Sequence, residues 1–225
     1  MKVLFVVFLV NRVLARYMLN AFSLHRERGL SKEALDKAAV NFGMPMGPVE
    51  LMDTVGLDVG LGVMGTLGGE ETAEDAEVLQ SYVDQGKLGK KSGEGFYEWK
   101  KGKPVKDPDA VGDVDLESLG AELMQPYFDE CRACLADGVV ADRDALDAGM
   151  IFGTGFAPFR GGPMFYLEQV AQEAGIRPAF VLGGDNLDFW PLGPILRRGF
   201  DLGDRVRVPM GVGRRAFVHA PAVAQ

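Results

Sequence analysis

The side chains best suited to metal or redox chemistry are two cysteines, Cys131 and Cys134, in the spacing Cys-x-x-Cys. This spacing occurs in redox pairs and in zinc sites. Zinc normally needs four ligands, however, and the two histidines, His25 and His219, lie far apart in the sequence. Both cysteines also fall within an apolar pattern of helical period. We therefore predict buried structural thiols, which favour a reducing compartment and hence a cytoplasmic protein.

A second group with chemical potential is the glycine-rich segment 86–95, which holds Lys87, Lys90 and Lys91. Lysines among glycines could face the phosphates of an anionic ligand. The segment has neither the spacing of a P-loop nor a following helical pattern. A solvated turn that leads to a short extended piece near residue 99 is therefore the preferred interpretation.

The composition is typical of a globular protein and disfavours several classes of function. Of 225 residues, 47% are hydrophobic and 25% are charged, which permits one large domain or two small ones. The net charge of -8 repels polyphosphate, so nucleic acid is a poor candidate ligand. No apolar run reaches the roughly 18 residues of a membrane span. The short apolar run 3–10 could pass for a signal peptide, but Asn11 and Arg12 follow it directly, and we favour a protein that is not secreted.

Helical periodicity organises most of the chain as far as residue 174. The apolar spacing, with Ser31 as a helix cap and Pro48 at a helix start, predicts helices. Their approximate bounds are 8–28, 31–42, 48–55, 58–67, 74–85, 119–137 and 141–150. Pro126 must kink or start a helix, and the charged segment 100–115 fits a linker.

Two helical blocks have the same order of elements. In the first, Ala34-Leu35-Asp36 lies in a short helix and Phe42-Gly43 leads to Pro48. In the second, Ala145-Leu146-Asp147 lies in a short helix and Phe152-Gly153 leads to Pro158. The pattern indicates a tandem repeat. The alternative is a coincidence between two helical hairpins.

Three segments resemble the C-terminal domain of 3-hydroxyacyl-CoA dehydrogenases. They are residues 8–14 (FLVNRVL), residues 42–58 (FGMPMGPVELMDTVGLD) and residues 87–97 (KLGKKSGEGFY). A fourth, residues 153–163 (GTGFAPFRGGP), is similar to the second repeat of the multifunctional β-oxidation enzymes, whose chains join a hydratase and the dehydrogenase. The resemblance covers roughly residues 8–170.

The resemblance implies a mainly α fold of two tandem helical repeats of the 6-phosphogluconate-dehydrogenase C-terminal-like type, with the Rossmann domain missing. The domains expected are a first repeat at 1–106, a linker at 107–116 and an incomplete second repeat at 117–174. Residues 175–225, rich in arginine, glycine and proline, are expected to form an atypical and poorly ordered tail.

The implied reaction is the NAD-dependent oxidation of (3S)-3-hydroxyacyl-CoA to 3-ketoacyl-CoA in fatty-acid β-oxidation. Asn11 matches the asparagine that reaches the family's active site, where its amide can orient the substrate oxygen. Met46, Pro48 and Lys90 are the candidate substrate-binding residues. The implied partners are acyl-CoA, a nucleotide-binding domain or chain, and a second copy of this chain in a homodimer. The alternative is a non-catalytic helical module for interaction or acyl-CoA binding.

The sequence also departs from the family. No Gly-x-Gly-x-x-Gly follows a predicted strand, so the dinucleotide fingerprint is absent. His25 sits in a predicted helix with the wrong neighbours to be the catalytic histidine. Val7 and Arg16 stand where the family usually has glycine and often has proline. These departures predict a chain that begins at the domain junction, or was truncated to it, and that is inactive alone.

Overall fold

The computed structural model describes residues 2–67 and 72–173, and these residues are mainly helical, as predicted. The helices are α1 (Lys2–Arg28), α2 (Lys32–Phe42), α3 (Pro48–Val55), α4 (Leu57–Leu67), α5 (Ala73–Asp84), α6 (Leu116–Ala136), α7 (Arg143–Thr154) and α8 (Pro163–Glu173). None of the described helices is long and apolar enough to cross a membrane. The predicted tail, 175–225, lies outside the described residues.

Between the helices of the described residues lie a small hairpin and 3₁₀ turns. Strands β1 (Glu98–Lys100) and β2 (Lys103–Val105) pair antiparallel across a two-residue turn. Both turn residues, Lys101 and Gly102, have positive φ, as a type I′ turn requires. The 3₁₀ turns are Pro108–Val111, which packs against α2, and Pro158–Arg160. The extended piece predicted near residue 99 is therefore the first strand of a hairpin.

The predicted caps of the early helices are confirmed. The Ser31 hydroxyl accepts a hydrogen bond from the amide of Ala34 at 3.0 Å, which satisfies one free amide at the start of α2. Gly43 ends this helix with a φ of 117°, a value that disfavours residues with a side chain. Pro48 occupies the first turn of α3, where its missing amide hydrogen costs nothing.

The predicted start of the first helix and the predicted end of the last were wrong. Helix α1 begins at Lys2 rather than near Phe8, and α7 continues to Thr154 rather than ending near Met150. Gly153 is helical, because the left-handed residue that ends α7 is Gly155, with a φ of 71°. Pro158 consequently starts a 3₁₀ turn, and it is Pro163 that starts the next helix.

Pro126 lies inside α6 and does not start a helix. A proline here removes the hydrogen bond that the carbonyl four residues earlier, that of Glu122, would normally accept. The side-chain amide of Asn20 on α1 donates to this carbonyl and to that of Leu123, each at 3.1 Å. A side chain of α1 therefore replaces the hydrogen bond that Pro126 removes from α6.

The two helical blocks share one hydrophobic core. Helices α1 and α2 of the first block both pack against α6, and α1 also packs against α7. Aromatic rings join the blocks at the centre of the core: Tyr17 meets Tyr127 edge to face at 6.2 Å between ring centroids, and Phe42 meets Phe128 at 6.1 Å. Such ring pairs add about 0.5–1.5 kcal/mol each beyond the area that they bury. The second block thus supports the helix that carries Asn11.

Candidate functional site

Asn11 is exposed on α1, one residue before Arg12. Leu9, Val13 and Tyr17 are fully buried and recur every four residues, so they define the inward face of this helix. At about 100° per residue, Asn11 lies about 200° around the helix axis from Leu9, which places it on the opposite face. The position suits a side chain that meets a ligand or another domain from outside the helical core.

The segment around Asn11 is held against α6 by charge. Glu130 of α6 accepts hydrogen bonds from Arg12 through one carboxylate oxygen and from Arg16 through the other, the latter at 3.1 Å. Arg12 also pairs with Asp137, at 2.7 Å between Nη1 and Oδ2. The side chain of Glu130 is only 10% exposed, so solvent screens these pairs less than it screens surface pairs.

Two glycines let α1 lie close to α7 beside Asn11. A Cβ atom at Gly153 would stand 2.4 Å from Cγ2 of Val10, and one at Gly149 would stand 3.1 Å from Cδ2 of Leu9. The first distance is too short for a carbon–carbon contact. Gly149 and Gly153 therefore allow the part of α1 next to Asn11 to pack closely against α7.

Met46 and Pro48 lie at the junction between α2 and α3, around the buried Asp36. The carboxylate of Asp36 accepts hydrogen bonds from the amides of Val49, at 2.9 Å, and Glu50, at 3.2 Å, and so caps α3. Pro48 is buried and Met46 is half-buried. The burial of Pro48 favours a packing role for this residue, whereas Met46 keeps a surface that a ligand could touch.

Asp36 also ties the junction to the hairpin. Its carboxylate accepts hydrogen bonds from the Tyr97 hydroxyl and from the Lys106 ammonium group, each at 2.9 Å, and Lys106 pairs with Glu50 as well, at 2.6 Å. Burial raises the pKa of Asp36, and the nearby Lys106 acts in the opposite direction. The cluster is satisfied internally and holds the segment after β2 against α2.

Lys90 lies in the glycine-rich loop, which is docked on α3 through the fully buried Asp53. The Asp53 carboxylate accepts hydrogen bonds from the amides of Phe96 and Tyr97 and from the Trp99 indole, each at 2.9 Å. The Lys90 amide donates to the Asp53 carbonyl at 2.9 Å. The Lys90 ammonium group is exposed and lies 5.4 Å from the centroid of the Trp99 ring.

The other two lysines of this loop are paired with carboxylates. Lys87 contacts Glu94 at 2.8 Å, and Lys91 forms an ion pair with Asp58 at the start of α4. These pairs fit the predicted solvated turn better than a phosphate site.

Comparison with known proteins decides the family. Residues 8–99 match the family model described as 3-hydroxyacyl-CoA dehydrogenase, C-terminal domain. Over these residues the chain belongs to this oxidoreductase family. The family predicted from the sequence is thus confirmed over these residues.

The relatives of this dehydrogenase domain are much longer proteins. The fatty acid oxidation complex subunit alpha of Shewanella sp. (strain MR-7) is 36% identical over 196 residues, which are 80% of this chain and 26% of the relative. The subunit of the same name from Shewanella baltica is 38% identical over 175 residues, covering 72% of this chain and 24% of the relative. The chain therefore spans about a quarter of the length of these relatives.

A solved structure is also similar to the dehydrogenase domain. It is a 3-hydroxybutyryl-CoA dehydrogenase from Escherichia coli K12, with a TM-score of 0.48 and 20% sequence identity, and the similarity covers 76% of this chain and 57% of that one. Family membership rests on the sequence matches.

The dehydrogenase domain contains the spacing Gly-x-Gly-x-x-Gly at Gly60, Gly62 and Gly65, but these residues lie within α4. The dinucleotide fingerprint needs a strand before the first glycine and a helix that starts at the phosphates. Here α4 follows α3 directly, after Gly56. These glycines do not form an NAD cradle.

The two thiols of α6 are buried, as predicted. Cys131 and Cys134 are free and buried in α6. Burial raises the pKa of Cys134 to about 11 and that of Cys131 above its ordinary value, so neither is a thiolate at neutral pH. Among the described residues, no group of three or more histidine, cysteine or acidic side chains could hold a metal ion.

Sequence reasoning missed the buried aspartates that organise both blocks. In the second block, Asp147 of α7 accepts hydrogen bonds from the amides of Met164, at 2.7 Å, and Phe165, at 3.0 Å. A Cβ atom at Gly162, just before Pro163, would stand 2.4 Å from the Asp147 carboxyl carbon. The available signal was an aspartate on the apolar face of a short helix, followed by a Gly-Pro pair.

Proposed function

We propose that this chain supplies the helical substrate-binding and dimerisation part of an NAD-dependent 3-hydroxyacyl-CoA dehydrogenase, which oxidises (3S)-3-hydroxyacyl-CoA to 3-ketoacyl-CoA in fatty-acid β-oxidation. The observation that carries the proposal is Asn11, exposed on a helix whose other face is locked into the core. An exposed amide beside buried apolar neighbours can contact another domain or its ligand.

In this proposal Asn11 acts by orientation. Its side-chain amide donates a hydrogen bond to the oxygen of the bound hydroxyacyl group and holds that oxygen in one direction. An amide does not titrate at neutral pH, so it positions the oxygen without exchanging a proton with it. Orientation of this kind lowers the entropy that the reacting groups must lose in the transition state.

The cofactor and the base belong to a partner domain in this proposal. The described residues do not fit NAD, because the glycines with the required spacing lie inside α4 rather than after a strand. A nucleotide-binding domain, in the same protein or in a second chain, would therefore hold NAD. Such a domain would meet the helical part at the exposed face of α1.

The candidate acyl-CoA contacts differ in their exposure to solvent. Lys90 is exposed and can approach an anionic group, although Trp99 already lies beneath its ammonium group. Met46 presents part of its side chain at the α2–α3 junction, where an acyl chain could contact it. Pro48 is enclosed, and it would affect the substrate only by fixing the direction of α3.

The proposed fold is a pair of tandem repeats of the 6-phosphogluconate-dehydrogenase C-terminal-like type. Its support is the shared capping arrangement, in which Asp36 caps the helix that begins at Pro48 and Asp147 caps the helix that begins at Pro163. In both, a glycine precedes the proline and a Cβ atom there would clash with the aspartate.

The proposed homodimer rests on α3 and α4. These helices leave Val55 and Val59 exposed, and such side chains can pack against a second copy. Sedimentation analysis of the chain, with Val59→Lys as the disrupting variant, tests this part. A dimer unaffected by the lysine would place the interface elsewhere.

The test of the function is reconstitution. The purified chain is mixed with a separately produced NAD-binding domain of a 3-hydroxyacyl-CoA dehydrogenase, and NADH formation from 3-hydroxybutyryl-CoA is followed. We expect turnover from the mixture and none from the chain alone. Asn11→Ala should lower kcat by on the order of 100-fold, as the loss of an orienting donor does elsewhere.

Asn41→Ala is the matched control, since Asn41 is an exposed amide in the last turn of α2. It should leave kcat unchanged. Turnover by the chain alone would contradict the proposal that a partner domain holds NAD and the base. An inactive mixture that still binds butyryl-CoA in calorimetry, with equal affinity in Asn11→Ala, would favour the alternative of a non-catalytic acyl-CoA-binding module.

A further inference from the structure

Two arginines of α1 converge on one carboxylate of α6, beside the candidate catalytic asparagine. Arg12 and Arg16 are four residues apart and so lie on the same side of the helix. Their Nε atoms donate to the two different oxygens of Glu130. We name these three side chains the Arg–Glu–Arg fork.

The fork is suited to fix the rotation of α1 as well as its distance from α6. Apolar packing is non-directional, so Leu9 and Val13 alone resist separation of the helices better than they resist a small rotation. Charge-assisted hydrogen bonds depend on direction, and two of them one helical turn apart constrain the helix at two heights. The low exposure of Glu130 strengthens both.

A second charged link joins the same two helices at the far end of α1. There, Arg28 pairs with Glu122 of α6, and both side chains are more exposed to solvent than Glu130. The distance along the helix axis from Asn11 to Arg28 is about 25 Å at 1.5 Å per residue. The Arg28–Glu122 pair therefore contributes to the packing of α1 on α6, but it is remote from the direction of Asn11.

We propose that Glu130 is a positioning residue for Asn11: through Arg12 and Arg16 it fixes the direction in which the Asn11 side chain leaves the helical core. The second helical block then takes part in the site of the first block, although it contributes no group that touches the substrate. This inference rests on the proposed function of Asn11.

The catalytic test uses the full chain reconstituted with the NAD-binding domain. Glu130→Gln removes the charge and one acceptor oxygen, and it should lower kcat by on the order of tenfold with little change in KM, because a small misplacement of an orienting group affects the transition state most. Glu122→Gln is the matched control on the same helix and should change kcat less than twofold. Arg16→Gln, which removes one exposed arm of the fork, should give an intermediate decrease.

The decisive comparison is a double-mutant cycle with Asn11→Ala. If Glu130 acts through Asn11, Glu130→Gln lowers kcat in the wild-type chain and has no further effect in the Asn11→Ala background. Independent, multiplying effects in the double variant would overturn the inference while leaving the proposed function in place. No effect of Asn11→Ala in the first instance would overturn the proposed function.

A distance measurement by spin labelling tests the inference on the chain alone, without an activity assay. Nitroxide labels are placed through Asn11→Cys and Lys37→Cys, since Cys131 and Cys134 are buried and Lys37 is exposed on α2. The distance distribution between the labels should broaden in Glu130→Gln and remain narrow in Glu122→Gln. An unchanged distribution in Glu130→Gln would overturn the inference whatever the activity. If Glu130→Gln fails to fold, Arg16→Gln serves in its place, with the same broadening expected.

Discussion

The side-chain amide of Asn20 donates to the backbone carbonyl that Pro126 leaves without a helical hydrogen bond. Pro126 deprives the Glu122 carbonyl of its partner within α6, and Asn20 donates to that carbonyl from α1 at 3.1 Å. The same amide also reaches the Leu123 carbonyl. The proline in one helix and the asparagine in the other should therefore be energetically coupled.

This coupling gives the first prediction. Asn20→Ala should lower the free energy of unfolding by about 1–2 kcal/mol, because it leaves a partly buried carbonyl without a donor. In a Pro126→Ala background the helix supplies its own amide to Glu122, and the loss should be smaller. Urea unfolding of the four chains measures the difference. Asn41→Ala, the same substitution at an exposed position, should change the stability by less than about 0.5 kcal/mol. Equal losses in both backgrounds would show that the proline and the asparagine are independent.

The second prediction concerns Gly153, where α1 and α7 approach most closely. Gly153→Ala improves the helix propensity by up to about 1 kcal/mol but places a methyl group 2.4 Å from Cγ2 of Val10. Overpacking of this kind typically costs about 1–3 kcal/mol, so the net effect should be a loss of stability. Adding Val10→Ala should relieve the clash and restore stability in thermal unfolding.

Gly62 provides the control for that experiment. It also lies in a helix, α4, and a Cβ atom there would meet nothing within 4 Å. Gly62→Ala should therefore stabilise the chain by about 0.5–1 kcal/mol through propensity alone. A similar gain at Gly153 would mean that α1 can move away from α7 without loss.

The elements of this fold that follow from local patterns were predicted well. Ser31, Gly43 and Pro48 mark helix ends through short-range capping chemistry, and the structure has them in those roles. Capping chemistry of this kind depends only on residues close together in the sequence.

The features that were missed depend on residues distant in sequence. The bond between Asn20 and the Glu122 carbonyl joins two helices across about a hundred residues, and no local pattern reports it. The register of the second block was misassigned because the 3₁₀ turn Pro158–Arg160 is inserted between Gly155 and Pro163. Periodicity locates a helix, but it does not show that Pro158 starts a 3₁₀ turn and that the next helix starts at Pro163.

The third prediction concerns Asp53 and the glycine-rich loop. Asp53→Asn replaces one acceptor oxygen by a donor that faces the backbone and indole donors of the loop. The loss should be about 1–3 kcal/mol, the range for buried donors left unsatisfied. Hydrogen exchange should become faster at residues 88–100 before it changes in α6, because the loop can detach while the common core stays packed.

The matched control is Asp58→Asn. Asp58 is an exposed aspartate that pairs with Lys91 of the same loop. Exposed ion pairs contribute little, so this variant should leave both stability and exchange close to those of the wild type. Equal effects of the two variants would indicate that the loop is held by its net charge rather than by the buried carboxylate.

The last prediction concerns alkaline pH and the buried thiols. Burial raises the pKa of Cys134 to about 11 from an ordinary value of 9.0, so the unfolded chain releases this proton at a lower pH than the folded chain does. The stabilising contribution is therefore fully present below pH 9.0 and is lost as pH rises towards about 11. In Cys134→Ala the fall in unfolding free energy between these two pH values should be shallower than in the wild type.

Thiol-specific labelling supplies the independent check. At pH 8 the folded chain should react far more slowly than the chain in denaturant, since reagents attack the thiolate and both cysteines are buried and protonated. Rapid labelling of Cys134 in the folded chain, together with an unchanged alkaline slope in Cys134→Ala, would contradict the buried position of this thiol between α6 and α1.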